Sequence, residues 1–355
     1  MKEKILFIMP TQYGYNTGIY HYCESALKEF SVFYVGIHDG KSTFQTAGTN
    51  IIYVSPWSVK KFWNTIKMLR CVYKLNREHH FKKVFVNSFT LCSLVLLFLP
   101  RNKVIMDIRT SFVLGKYKTG LLNWFLHMES KGFKYVSVIS YGVGEYLNIK
   151  SSKCRLLPIG ARMDKYFQHD FSEINLLYVG TFYDRYIEKT VEGVALFLKK
   201  YPDVSLKYSI IGMGSEEEKK RICSAISNNG LENKVILISE KRHKELEPYY
   251  ESHNVGVSYI PMTTYYDCQP PTKTFEYLAN GMVVLGTATA ENKKVINKEN
   301  GVLMETDKVE DFTKGLETIL NNQNLYDSRH IYQDALQYSW ENIAHKYLMP
   351  LIDLT

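Results

Sequence analysis

Two kinds of periodicity alternate along the chain. Apolar runs of strand length occupy residues 4–9, 31–35, 50–54, 84–87, 103–107 and 135–139, with helical patterns between them. Strand and helix alternating over short connections predict a parallel sheet covered on both faces. The alternation breaks at 156–173, where Pro158, Gly160 and a polar stretch read as an interdomain linker. It restarts with strands at 174–179, 206–211, 234–238 and 255–258, and one more after Gly281. The expected protein is α/β with two similar halves, residues 1–160 and 161–338, and a final helix, 339–355, long enough to pack back on the first. The longest apolar stretch, 91–99, is far short of the ~20 residues that span a bilayer and reads as a buried helix.

Open α/β sheets bind ligands beyond the C-terminal ends of their strands, so the residues there are the first candidates. The loop after the first strand holds Tyr13, Gly14, Thr17 and Gly18 and opens a helix expected to reach about residue 30. Its backbone N–H groups could meet an anion or a sugar hydroxyl, although the spacing is not Gly-x-Gly-x-x-Gly. Asp107 and Arg109 end another strand, and Ser140 and Gly142 a third. In the second half, Gly180-Thr-Phe-Tyr-Asp-Arg185 and Gly212-Met-Gly214 follow strands. Ser215 then suits an N-cap and the three glutamates after it suit the helix dipole. Glu240, Lys241 and Arg242 follow a further strand.

The most informative stretch is Pro270-Pro-Thr-Lys-Thr-Phe-Glu-Tyr-Leu-Ala-Asn-Gly281. Two prolines suit a helix start, Thr272 can cap the first free N–H groups, and Gly281 allows a left-handed stop. Lys273 and Glu276 share one face of the first turn. An ammonium at a helix N-terminus can meet a phosphate, and a carboxylate beside it can hold ribose hydroxyls. An intrahelical Glu–Lys pair on a solvated face has the same spacing.

Charge adds a second feature. The net charge is +8, and the window from Val59 to Lys83 alone, with eight Lys/Arg against Glu78, carries +7. Phe62, Ile66, Leu69 and Tyr73 are expected to form an apolar stripe, with Trp63, Lys67, Arg70, Lys74 and Arg77 as a parallel basic one. A tryptophan leading a line of cations suits an anionic membrane surface, and a sheet-packed helix with a solvated basic face is the plainer alternative. No motif of nucleic-acid recognition is present, so no nucleic-acid partner is expected. With 45% apolar and 23% charged residues the composition is that of an ordinary globular protein. The six cysteines form no Cys-x-x-Cys pair, and with no secretory leader read at the N-terminus they suggest reduced thiols in a cytoplasmic protein without a structural metal.

Taken in order, Tyr178-Val-Gly-Thr-Phe-Tyr-Asp-Arg185, Ile210-Ile-Gly-Met-Gly-Ser215, Pro271-Thr-Lys-Thr-Phe-Glu-Tyr-Leu-Ala-Asn-Gly281 and Val284-Leu-Gly-Thr287 resemble the group 1 (family 4) nucleotide-sugar glycosyltransferases. The resemblance implies the GT-B architecture, two Rossmann-like domains whose parallel sheets face an interdomain cleft. It implies sugar transfer from a UDP- or GDP-linked donor to a saccharide or lipid-linked acceptor in surface polysaccharide synthesis, with retained configuration and no metal or other cofactor. Arg185 and Lys273 would meet the leaving diphosphate, and Asp107 and Arg109 stand nearest the family's first-domain catalytic residue. Glu276 matches the glutamate that holds the ribose. Gly180, Thr181, Gly212, Gly214, Glu240, Lys241, Arg242, Thr272 and Thr274 would line the rest of the donor site. The family's first glutamate is missing, with Cys268 in its place, and its Gly-Phe-Gly turn is replaced by Gln269-Pro-Pro271. Asp267 and Gln269 are then the candidates for holding the donor sugar. A sugar-nucleotide epimerase of the same architecture and a non-catalytic nucleotide-sugar-binding protein are the competing readings.

Overall fold

The computed structural model describes residues 2–54, 61–112 and 116–355, without the side chains of 61, 62 and 116–118. Lys60 and the Phe62 side chain of the expected basic helix therefore lie outside the described residues. The chain forms two compact units, Met1–Gly160 with Trp340–Thr355, and Ala161–Ser339.

Unit 1 contains β1 (Lys4–Ile8), α1 (Thr17–Ala26), β2 (Ser31–Ile37), β3 (Thr49–Val54), α2 (Lys61–Glu78), β4 (Phe81–Asn87), β5 (Val104–Ile108), α3 (Lys116–Ser130), β6 (Tyr135–Val138), α4 (Tyr141–Tyr146) and β7 (Cys154–Leu156). The strands lie in the order β3-β2-β1-β4-β5-β6-β7, every pair parallel. Unit 2 contains β8 (Ile174–Thr181), α5 (Glu188–Lys200), β9 (Leu206–Met213), α6 (Glu216–Asn228), β10 (Val235–Ser239), α7 (Glu247–Ser252), β11 (Val255–Ser258), α8 (Thr264–Asp267), α9 (Thr272–Ala279), β12 (Val283–Thr287), β13 (Gly301–Met304), α10 (Val309–Asn321) and α11 (Ser328–Ala335). Its order, β10-β9-β8-β11-β12-β13, is that of the first six strands of unit 1. Central strands such as Ile5–Ile8 and Val283–Thr287 are buried on both faces, which is why they read as unbroken apolar runs.

After unit 2 the chain returns to unit 1 as α12 (Trp340–Ile343), a π-helical turn (Ala344–Leu348) and α13 (Met349–Ile352). The expected single helix is interrupted because Pro350 has no N–H for the carbonyl one turn back, and the wider turn absorbs the loss. Ile343, Leu348 and Ile352 enter the core around Phe7, Tyr22 and Phe85.

Two local expectations change. Residues 91–99 form a 3-10 helix, Cys92–Leu97, that starts from Leu91 at φ +66 and buries Cys92 and Val95 but leaves Leu97 81% exposed. On α2 the buried positions are Thr65, Met68, Leu69 and Val72, while Tyr73 is exposed. The sheet contact is rotated because Tyr73 packs its ring on Phe98, 5.6 Å away, instead of under the helix. The basic stripe keeps Trp63, Arg70, Lys74 and Arg77 exposed, with Lys67 half-buried.

Candidate functional site

Unit 2 gathers the chemistry around α9. Pro271 occupies the N-cap position without a side-chain cap, so Thr272 is the first helical residue and not the cap; it is exposed. Gly281 ends the helix in the left-handed region at φ +73, with its carbonyl accepting from Ser328 Oγ. A Cβ at Gly281 would lie 3.0 Å from the Ser328 carbonyl, so both conformation and space require glycine.

Half-buried at the start of α9, the Lys273 ammonium lies 3.9 Å from the centre of the Tyr178 ring and next to Gly180, where a Cβ would come within 3.2 Å of Nζ. Tyr178 is fully buried and donates to the Thr181 carbonyl at 2.7 Å, which fixes the ring under the cation. Arg185 stacks its guanidinium 4.0 Å above Tyr266, and its Nε and Nη1 are buried without a hydrogen-bond partner. Burial first, and then the Arg185 charge, hold the Lys273 pKa well below the usual lysine value, with Glu276 pulling the other way. Two cations share a poorly solvated site that, among the described residues, no carboxylate neutralises by direct contact. Such a site is unfavourable by itself and favourable once an anion enters.

Glu276 is held by burial above the usual carboxylate range, against the opposing pull of His243 and Lys273. The buried Tyr250 hydroxyl lies beside it, and burial, then the Glu276 charge, raises the Tyr250 pKa. His243 in turn lies 3.7 Å from Asp164. Glu240, Lys241 and Arg242 lead into this corner and are all exposed; the Arg242 N–H donates to Glu245 at 2.8 Å, and Lys241 is 4.0 Å from Glu245.

The β8 and β9 ends support the Arg185 loop. Gly180 and Gly212 are register partners, and a Cβ on Gly212 would fall 1.7 Å from the Gly180 carbonyl oxygen. The Phe182 N–H donates to the Met213 carbonyl at 2.7 Å. Glu218 Oε2 accepts from the Ser215 N–H and Oε1 from the Asp184 N–H, so one carboxylate caps α6 and holds the loop. Gly214 has no room for a side chain, since a Cβ would meet Glu218 Oε2 at 2.9 Å. The N-terminus of α6 is thereby closed by its own glutamate.

Other candidates are placed differently from the reading of the sequence. Thr274 is fully buried, donates to Asn292 Oδ1 at 2.8 Å and pairs with Ser258 Oγ at 2.7 Å, so it locks α9 to β11 rather than reaching a donor. Asp267 accepts from the Ala290 N–H at 2.7 Å. Gln269 is half-buried at the turn before α9. Burial raises the Cys268 thiol to about 11, so a neutral group stands where the family has a glutamate. A buried carboxylate the sequence did not single out, Glu291, stands in the field of Asp267 and Cys268, paired with Lys294 at 2.5 Å.

In unit 1, Asp107 and Arg109 form an internal lock. Asp107 is buried, accepts from Ser137 Oγ at 2.7 Å and lies 3.8 Å from Arg109. Arg109 donates to the Leu157 carbonyl at 2.6 Å and to the Tyr22 hydroxyl at 3.3 Å, and Tyr22 donates to the Pro158 carbonyl. These bonds tie β5 and α1 to the chain leaving the unit. Tyr13 is likewise withdrawn: it is buried and donates to Thr46 Oγ1 at 2.9 Å. Gly14 has φ +90, with the Phe44 ring 2.5 Å from where its Cβ would be. Thr17 and Gly18 begin α1 behind the Asn16 cap, and Gly18 sits against Arg109. His127 lies 3.2 Å from the Leu147 carbonyl. Among the described residues one trio, Glu299, His330 and Asp334, could offer three metal-ligand atoms, and all three are exposed.

Sequence reasoning missed Tyr178, Tyr266, Tyr250 and Glu218. An aromatic ring under a cation leaves no signature in spacing, and Glu218 read only as a dipole-suited residue.

Comparison with known proteins is consistent with this picture. Residues 173–322, most of unit 2, match the model of the family described as glycosyl transferases group 1. An uncharacterized glycosyltransferase of Haemophilus influenzae is 34% identical over 131 residues, covering 36% of this chain and 34% of that protein. The chain thus spans about a third of the length of the curated relatives it matches. HepE of Anabaena, solved in complex with UDP, covers 100% of both chains at TM-score 0.76 and 11% identity. Sucrose-phosphate synthase of Thermosynechococcus elongatus covers 97% of both at TM-score 0.72 and 16% identity. These likenesses establish the GT-B fold of two Rossmann-like domains, and the match to the group 1 family lies within unit 2.

Proposed function

We propose, from the group 1 match in unit 2, that the chain transfers a sugar from a nucleoside diphosphate sugar, UDP- or GDP-linked, to a saccharide or lipid-linked acceptor of surface polysaccharide synthesis. The observation that carries the reading is the pair of cations, Arg185 on Tyr266 and Lys273 on Tyr178, with no counter-ion in direct contact among the described residues. The leaving diphosphate develops charge as the glycosidic bond breaks, and two preorganised cations in a poorly solvated site stabilise that charge without requiring a metal ion. Glu276, beside Tyr250 and the 240–243 loop, would take the ribose hydroxyls, with Gly180, Thr181, Gly212 and Gly214 shaping the backbone around the donor. Retention of configuration is expected from the family. The neutral Cys268 leaves the donor sugar to Asp267, Gln269 and the buried Glu291.

The basic stripe of α2 would hold the protein at the anionic inner face of a cell membrane, where lipid-linked acceptors lie. No described helix is long and apolar enough to cross a membrane, so this contact is peripheral. A thermal-shift panel of nucleotide sugars tests the donor site: a UDP- or GDP-sugar should raise Tm by mass action, and Lys273→Ala should remove the rise. Donor consumption without acceptor would favour the epimerase, and binding without turnover on any acceptor the non-catalytic reading.

A further inference from the structure

Helix α3 turns an apolar face to solvent. Its polar side chains face the protein: Glu129 accepts from the N–H groups of Leu91 and Ser93 at 2.9 and 2.7 Å, and Asn123 Oδ1 from the Phe112 N–H at 2.9 Å. Four of its large apolar side chains face out, Leu121, Trp124, Phe125 and Met128, exposed by 58, 53, 48 and 41%, while Leu126 is buried. The spacing of three, one and three puts these four on one helical face. A contiguous apolar face turned to water marks a surface that something covers.

Its surroundings point to what covers it. The 3-10 helix at Cys92–Leu97 touches both α2 and α3, and its Leu97 is exposed as well. The strand order requires right-handed crossovers that bring α2, this turn and α3 onto the same side of the sheet. Residues 61–134 hold fourteen Lys/Arg and three acids, and two of the acids, Asp107 and Glu129, and two of the cations, Lys83 and Arg109, are engaged inside the protein. A second copy of so cationic a face would repel this one, whereas anionic headgroups complement it.

We infer that α3 inserts Leu121, Trp124, Phe125 and Met128 into the interfacial region of an anionic bilayer, flanked by the basic stripe of α2. The inference rests on the membrane contact proposed for α2 and adds an apolar component to it. In such a contact, charge brings the protein to the surface and burial of the apolar face keeps it there.

The test is sedimentation of the full chain with vesicles of phosphatidylcholine and phosphatidylglycerol, about 7:3. The double variant Trp124→Ser/Phe125→Ser should lower the partition coefficient about tenfold or more, with an unchanged melting curve. Adding vesicles should shift tryptophan emission to the blue, and Trp124→Phe should remove most of that shift. Lys67→Glu/Arg70→Glu/Lys74→Glu serves as the separate arm. If it abolishes binding while the α3 variant binds like the parent, contact by α2 stands and insertion by α3 is overturned. If parent and both variants ignore vesicles, both readings fall. A dimer in solution that the α3 variant disrupts, without vesicle binding, likewise overturns insertion in favour of self-association.

Discussion

Each unit carries charged side chains at or just beyond the C-terminal ends of its central strands, and the two sets differ in one respect. In unit 1, Arg109 spends its donors on Leu157 and Tyr22 and sits beside Asp107. In unit 2, Arg185 and Lys273 lie on aromatic rings, and Arg185 has two buried nitrogens without a partner. In the first the cation is already bonded, and the buried atom that lacks a hydrogen-bond partner, Asp107 Oδ2, is an acceptor with nothing to offer an anion, so the pair serves the fold. The second is incomplete, so it is where an anion has something to add. Position at a strand end selects candidates; whether their hydrogen bonds are already made separates positioning residues from binding ones.

That contrast can be broken at either side. Removing the Arg109 side chain leaves Asp107 buried and uncompensated, so Arg109→Ala should lose about 3–5 kcal/mol in urea unfolding. If it melts like the parent but stops turnover, the lock is a reactive pair after all. Arg185→Ala and Lys273→Ala should do the reverse, lowering donor turnover about 10²–10³-fold with little change in Tm. Gly212→Ala should cost about 1–3 kcal/mol and displace the Arg185 loop, because its Cβ meets the Gly180 carbonyl. A donor affinity left unchanged by that loss would separate the loop from the site.

The smallest effect is a proton. The Lys273 pKa is depressed in the folded protein, so between that value and 10.5 the unfolded chain binds more protons. The resulting penalty is fully present below the depressed pKa and fades as pH rises through the window. A bound diphosphate favours the charged amine, so binding inside the window should take up protons, as calorimetry in two buffers of different ionisation enthalpy reads directly. Lys273→Met should abolish the uptake; uptake that persists assigns it elsewhere.

The sheet architecture was legible because both sheets are buried on two faces and their central strands are unbroken apolar runs. The strands at 154–156 and 301–304 were not, since three and four residues carry no usable periodicity. Lys273, Glu276 and Arg185 were legible through local spacing and resemblance. The enclosure of Thr274 and Arg109 was not, because their partners lie 16 to 87 residues away in the chain. The rotation of α2 by Tyr73 on Phe98 is of the same kind. Local pattern shows what a residue is suited to do, and only tertiary contacts show whether it has already done so.

The return of Trp340–Thr355 to unit 1 orders events during synthesis. Ile343, Leu348 and Ile352 fill a core whose other walls, Phe7, Tyr22 and Phe85, leave the ribosome hundreds of residues earlier. Unit 2 has every residue it needs by Ser339, while the first half must wait for residues 340–355. The usual N-to-C order of domain completion is reversed. Until residues 340–355 emerge, the nascent chain presents a finished unit 2 behind an N-terminal half still open along one face, which is where chaperone engagement should concentrate.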